Sequence, residues 1–136
     1  MNYLLPLSIM ADRLRAVLPA TLPVITALDV AQVQDQSDGN PQVWVVFHRD
    51  IVQDTAGEIT LVQFQIAAVY LAAGILPDLA RDGDALTALT KALAGFKPLR
   101  TTGLSPIKRV GSMVPQSWEP LGLVAYGMIF ETTGAL

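Results

Sequence analysis

The chain has 136 residues, 51% of them hydrophobic and only 15% charged, with a net charge of −3 and no cysteine. That length suits one domain, residues 1–136, with room for a substantial core. The missing cysteine excludes disulfides, thiolate zinc sites, iron–sulfur clusters and cysteine nucleophiles, and the acidic balance argues against a duplex-binding surface.

An average soluble domain is about 25% charged. A surface this poor in charge is sticky in isolation, so part of it is expected to lie against a partner. The longest apolar run, Ile66–Leu76, falls short of the ~18–20 residues that cross a bilayer. Met1–Arg15 has no basic residue ahead of its apolar stretch, so it does not read as a signal peptide, and synthesis in the cytoplasm is expected.

In chain order, Ser8 is placed to cap a helix running to Leu18, with Ile9, Leu14, Val17 and Leu18 on its apolar side and Pro19 as its stop. Pro23–Gln34 is ambiguous: its alternation suggests an edge strand, with a short helix as the other reading. Gln36–Pro41 is a loop. Two long apolar strands follow, Gln42–Asp54 and Glu58–Ala72, joined through Thr55-Ala56-Gly57. The shorter of them already reaches roughly 40 Å at ~3.3 Å per residue, against a radius of gyration of only ~14 Å for a compact chain of this size. The hairpin is therefore expected to overshoot its own core. Pairing Phe47 with Phe64 and Val45 with Ile66 needs a four-residue turn, Asp54–Gly57. It puts Val43, Val45, Phe47, Val62, Phe64, Ile66 and Ala68 on a core face and leaves Trp44, Val46, His48, Gln63, Gln65 and Ala67 as a mixed surface, with a bulge allowed.

After a turn at Gly74–Asp78, Asp82 or Asp84 caps a second helix to about Ala94. Its face is Leu86, Leu89 and Leu93, and Gly95 and Pro98 end it. Thr101–Val114 reads as a weak strand pair or extended arm, Pro115–Pro120 as a loop, and Leu121–Glu131 as a strand apolar on both faces, hence central or covered. The predicted fold class is α+β: an antiparallel sheet with a long β-hairpin and helices packed on one face.

Chemical signatures are sparse. His48 is the sole histidine and falls mid-strand. No nucleophile elbow, GxGxxG or GxxxxGK[ST] is present. Asp50, Asp54 and Glu58 near the hairpin tip fit a solvated turn better than an acid–base pair or a cation site. No catalytic, metal or cofactor residue is assigned. The charges are segregated, however. Asp29, Asp35, Asp38, Asp50, Asp54 and Glu58 make up half of the acids, opposed only by Arg49, whereas Lys97, Arg100, Lys108 and Arg109 lie in a stretch without acids. These read as solvated faces or as complementary patches that meet between copies. Trp118, between two prolines, either closes the core edge or anchors a contact.

The segment Ala92-Leu93-Ala94-Gly95-Phe96-Lys97-Pro98 is similar to the aLxGWxP ending of a helix in the tail terminator proteins of long-tailed bacteriophages, with Phe96 where tryptophan is usual. Tyr126 through Phe130-Glu131-Thr132 is similar to that family's Y-x-x-x-F-E-T finish. With the long hairpin and the N-terminal helix, the resemblance covers most of the chain from Val43 onward, although Thr101–Pro120 has no counterpart. It implies a structural virion protein without catalytic residues. The expected assembly is a homo-hexameric ring that caps the head-proximal end of the tail tube, stops tube growth and presents a surface to a head–tail connector or neck protein, with DNA passing the bore unbound. The residues then expected at contacts are Asp50, Asp54, Glu58, Lys97, Arg100, Lys108, Arg109 and Trp118. Two alternatives stand beside it: another head–tail joining or neck ring protein, and a small dimeric α+β enzyme or ligand-binding domain built around His48.

Overall fold

The structure, a computed structural model, describes residues 2–29, 31–33, 40–57, 59–73, 78–113, 116–118 and 123–136; for Asp54, Ala56, Ala73 and Gln116–Trp118 it describes the backbone only. Helix α1 spans Leu5–Val17, starting ahead of Ser8. Proline is tolerated in a first helical turn because its missing N–H has no partner there, so Pro6 sits inside the helix. Asn2 supports the start by accepting from the Leu5 N–H at 3.0 Å and, through Oδ1, from the Leu4 N–H at 2.9 Å. The helix ends before Pro19 as predicted, but the buried stripe is Leu7, Met10, Ala11 and Leu14, while Val17 is exposed. Helix α2, Leu79–Leu93, also begins early, at an N-cap of Asp78 that accepts from the Arg81 N–H at 3.0 Å. Asp82 is no cap: its Oδ2 accepts from the Asp78 N–H at 3.1 Å, which closes the first turn reciprocally. Gly83 lies inside the helix.

The strands are β1 (Val24–Ala27), β2 (Gln42–Ala56), β3 (Ile59–Ala73), β4 (Lys108–Ser112), β5 (Gln116–Trp118) and β6 (Leu123–Ala135). They form one sheet in the order β1-β2-β3-β6-β4, with β5 also paired to β6. The α+β class, the long hairpin and the helices on one face are as expected. The departure is β1, which runs parallel to β2, whereas all other pairs are antiparallel. Both readings of Pro23–Gln34 are realised, as the strand β1 and then a helical turn at 31–33. Thr101–Val114 does not pair with itself. A 3₁₀ turn at Arg100–Thr102 leads into β4, which pairs with β6. The predicted loop at Gln36–Gly39 and the turn at Gly74–Pro77 lie outside the described residues, as do Pro115, Glu119 and Pro120 of the predicted loop Pro115–Pro120, whose Gln116–Trp118 instead form β5 by pairing with β6.

In the hairpin, Phe47 opposes Ile66, Val45 opposes Ala68 and Val43 opposes Tyr70, so the predicted pairing Phe47–Phe64 is shifted by an even step. An even shift keeps every side chain on its face, and the apolar set still points to the helices. Two bulges, at His48 and Gln53, each give β2 a residue that β3 does not match. They use up the residues that a four-residue turn would have taken. The strands therefore pair to Ala56–Ile59, with Gly57 in the turn at φ +62°.

The sheet is buried on both faces near its base. Val43, Val45, Ile66, Ala68, Tyr70 and Phe130 pack with α1 and α2. On the other face, the expected mixed surface is instead a second core of Trp44, Val46, Ala67, Val69, Leu71, Leu123 and Ala125, covered by Val33 and Met113. The buried Trp44 keeps its polar atom satisfied, donating from Nε1 to Gln42 Oε1 at 2.7 Å. Strand β6 is central, flanked by β3 on one side and β4 and β5 on the other. Gly127 in it lets Met113 lie against the backbone: a Cβ there would stand 2.6 Å from Met113 Sδ and 3.0 Å from its Cβ.

Gly127→Ala is thus expected to destabilise the fold by about 1–3 kcal/mol through overpacking. Met113→Ala in the same chain should recover part of that loss. Urea unfolding midpoints of the wild type and the three variants measure both effects.

Candidate assembly surface

Beyond its base the sheet outruns its cover. Strands β2 and β3 are 15 residues each, about 50 Å at ~3.3 Å per residue, and the helices cover only part of that. On the face away from the helices, β3 presents Leu71, Val69 and Ala67 to the second core, then Gln65, Gln63, Leu61 and Ile59 in turn. Leu61 and Ile59 are 38% and 60% exposed, Ile51 opposite Gln63 is 36% exposed, and Val52 on the helix face is 59% exposed. These residues form an uncovered apolar end to the hairpin.

A polar row separates the second core from this end. Arg49 Nε donates to Gln65 Oε1 at 2.8 Å, Gln65 Nε2 donates to Glu131 Oε1 at 3.1 Å, and Lys108 Nζ lies 3.3 Å from Glu131 Oε2. One side chain from each of β2, β3, β6 and β4 takes part. Glu131 is only 3% exposed and Gln65 8%, so each depends on its neighbours for satisfaction. Next to Glu131, Thr132 Oγ1 donates to the Ser105 carbonyl at 2.7 Å and so ties the strand to the segment that leads into β4.

On the helix face the N-terminal segment grips the hairpin. The Tyr3 ring meets Phe64 edge-on at 5.4 Å and Phe47 at 5.7 Å, and its hydroxyl donates to Asp50 Oδ2. That hydrogen bond, with some burial, pushes the Tyr3 phenol up to about 12. Under α2, the Tyr70 hydroxyl donates to Asp82 Oδ1 at 2.7 Å and Arg81 Nε does so at 3.1 Å. Burial first, then the Asp82 bond, raises Tyr70 to about 12. Burial alone would raise Asp82, but the hydrogen bonds from Tyr70 and Arg81 outweigh it, and its pKa is lowered.

The structure sets the candidate contact residues on opposite edges. Asp50 is exposed on the β2 side, and Asp54 follows it along the same strand. Lys108 and Arg109 are exposed on β4, at the far edge of the sheet, with Arg109 donating to Ser112 Oγ at 2.7 Å. Lys97 and Arg100 are exposed near the foot of β4, where the Phe96 carbonyl accepts from the Ile107 N–H at 2.8 Å. Glu58 lies outside the described residues; Trp118 belongs to β5, with its backbone paired to Leu123. His48 is a bulge residue and exposed. Sequence reasoning missed Glu131, Gln65 and Tyr3. The one available signal was Glu131 itself, an acid inside an otherwise apolar strand.

The two motifs quoted above now have physical roles. Gly95 adopts φ +80°, the left-handed turn that ends α2, and Arg13 stacks on Phe96 with 4.6 Å from Cζ to the ring centre. Phe130 is core, Glu131 completes the polar row and Thr132 is the anchor to Ser105. The fold has two packed faces, an uncovered apolar end and opposite charges towards its edges, and the comparisons place it among bacteriophage tail structural proteins. The family described as "Phage tail terminator protein" matches residues 1–136, and the chain belongs to that family. Among solved structures, a chain from a "Virion of native gene transfer agent (GTA) particle" is similar, with a TM-score of 0.57 and 12% identity over 95% of this chain and 86% of that one, which speaks for a shared fold. No curated protein matches.

Two outcomes test the buried polar groups. Glu131→Ala should cost about 2–4 kcal/mol, since it leaves Gln65 and Lys108 without their acceptor, and urea denaturation reads that loss. The lowered pKa of Asp82 contributes stability that is full above its unfolded value of 3.8 and is lost as pH falls through the folded value. Asp82→Asn should therefore lower the melting temperature at pH 7, by about 1–2 kcal/mol in stability, and narrow its gap to the wild type as pH drops below about 4.

Proposed function

We propose that the protein caps the head-proximal end of a phage tail tube as a ring of identical subunits, six in number, that ends tube growth and offers a docking surface to the head or neck. It acts as one structural domain with no catalytic role, is assembled in the host cytoplasm, and lets DNA pass through the bore without binding it. Membership of the phage tail terminator family carries this reading. The uncovered apolar end at Ile51, Val52, Ile59 and Leu61 supports it, as a surface that needs a partner. So does the separation of Asp50 and Asp54 from Lys97, Arg100, Lys108 and Arg109, because a ring joins unlike patches.

Negative-stain microscopy of the purified protein should show six-fold rings with a central hole. Monomers or dimers, both free and in the presence of tail tubes, would overturn the ring. Arg100→Glu with Arg109→Glu should weaken ring assembly at low salt, and unchanged assembly there would remove the charge patches from the contact.

A further inference from the structure

Among the described residues the sheet ends in two edges that are each open over a short stretch, and their chemistry is complementary. Strand β2 is covered by β1 only at Val43–Val46. From His48 to Val52, no described residue offers a backbone hydrogen bond to its outer side. Strand β4 is the opposite edge, with its residues exposed along Lys108–Val110; just before it Ile107 donates its N–H to the Phe96 carbonyl and its own carbonyl accepts from the Gly95 N–H, so the open stretch begins at Lys108. An open edge is a template for another strand.

Direction, face and charge agree on which strand that is. Strand β2 is antiparallel to β3, β3 to β6, and β6 to β4, so β4 runs opposite to β2. A second copy placed beside the first without being turned over brings its β2 antiparallel to β4. Asp50 and Arg109 both lie on the helix face: Asp50 opposes Phe64 and meets Tyr3, and Arg109 opposes the core residue Phe130. Ile51 and Lys108 both lie on the other face, where Ile51 opposes Gln63 and Lys108 reaches Glu131. Setting Asp50 against Arg109 therefore sets Ile51 against Lys108. It pairs opposite charges on one face and lays a lysine stem over an exposed isoleucine on the other. Pairing like edges over the same stretches is disfavoured by charge: two β4 strands centred there bring Lys108 against Lys108 or Arg109 against Arg109, and two β2 strands centred on Asp50 bring Asp50 against Asp50. Edge charges ordinarily keep strands apart. Here their opposite signs favour unlike edges over like ones.

We propose that β2 of one copy, over His48–Ile51, adds to β4 of the next copy, over Lys108–Gly111, as an antiparallel strand, with Asp50 opposite Arg109. This rests on the ring reading above and names its contact. Small strand stagger at each joint is accommodated by tilt, as in any closed sheet.

Cysteine cross-linking tests it cleanly, because the chain has no cysteine of its own. Ile51 and Lys108 of one copy stand three strand spacings apart, about 14 Å, too far for a disulfide within the chain. The variant Ile51→Cys with Lys108→Cys, oxidised at low salt, should give a ladder of covalent oligomers up to the full ring, at least tenfold more than Ile51→Cys with Arg109→Cys, whose thiols sit on opposite faces. Rings in the microscope without a ladder overturn the edge pairing and leave the ring. Ile51→Cys alone giving dimers also overturns it, in favour of β2 against β2. A ladder on open filaments keeps the pairing and removes the ring, and neither ladder nor assembly rejects both. A charge exchange checks the same contact without thiols. Asp50→Lys and Arg109→Glu should each reduce assembly at least fivefold, and together restore it; failure to restore it in a variant whose melting temperature matches the wild type removes the Asp50–Arg109 pair.

Discussion

The length mismatch between sheet and helices governs this molecule. A helix rises ~1.5 Å per residue and a strand ~3.3 Å, so α1 and α2, of 13 and 15 residues, span about half of what the 15-residue β2 and β3 span. Two helices side by side therefore cover one end of the sheet and leave the other bare. The base becomes a two-faced core around Tyr70 and Trp44, and the far end carries Ile51, Val52, Ile59 and Leu61 into solvent.

The polar row makes that division sharp. On the face away from the helices, Gln65 and Gln63 stand between the apolar Leu71, Val69 and Ala67 and the apolar Leu61 and Ile59. Arg49, Gln65, Glu131 and Lys108 carry that break across four strands. The row also fixes register. A one-residue slip of β6 would turn Glu131 into the helix-facing core and Phe130 out of it, and a buried, unpaired carboxylate is costly enough to forbid that slip. On the helix face, Tyr3 holds Phe47, Phe64 and Asp50 together where the cover thins out.

Much of this was legible in the sequence, where local signals sufficed. Alternation from Val43 to Phe47 and from Val62 to Ala68 gave the hairpin and its core face, Leu89 and Leu93 gave the buried side of α2, and Leu123–Glu131 gave a covered strand. What was not legible depends on partners distant in the chain. The Trp44 face looked mixed because its cover, Val33 and Met113, comes from separate segments. Bulges at His48 and Gln53 have no marker residue. Asp82 looked like a cap because its real partner, the Tyr70 hydroxyl, is on a strand. Ser8 looked like the cap of α1, but the helix begins earlier, at Leu5, because proline is admitted in a first helical turn. Of the candidate contact residues, the separation of acids from bases was visible, but their placement on opposite edges follows only from the strand order.

That order has a consequence for how the chain folds. Strand β6 follows every other strand in sequence, yet it lies between β3 and the β4–β5 side. Until it is in place, β3 has a bare edge, β4 and β5 have nothing to pair with, and Gln65 and Lys108 wait for Glu131. The hairpin can form early from local contacts, but the sheet closes only through a long-range insertion, a step that is slow because loop entropy is lost before the contacts are gained. Until that insertion the paired hairpin exposes the β3 edge and the apolar faces around Tyr70 and Trp44, a surface open to other chains.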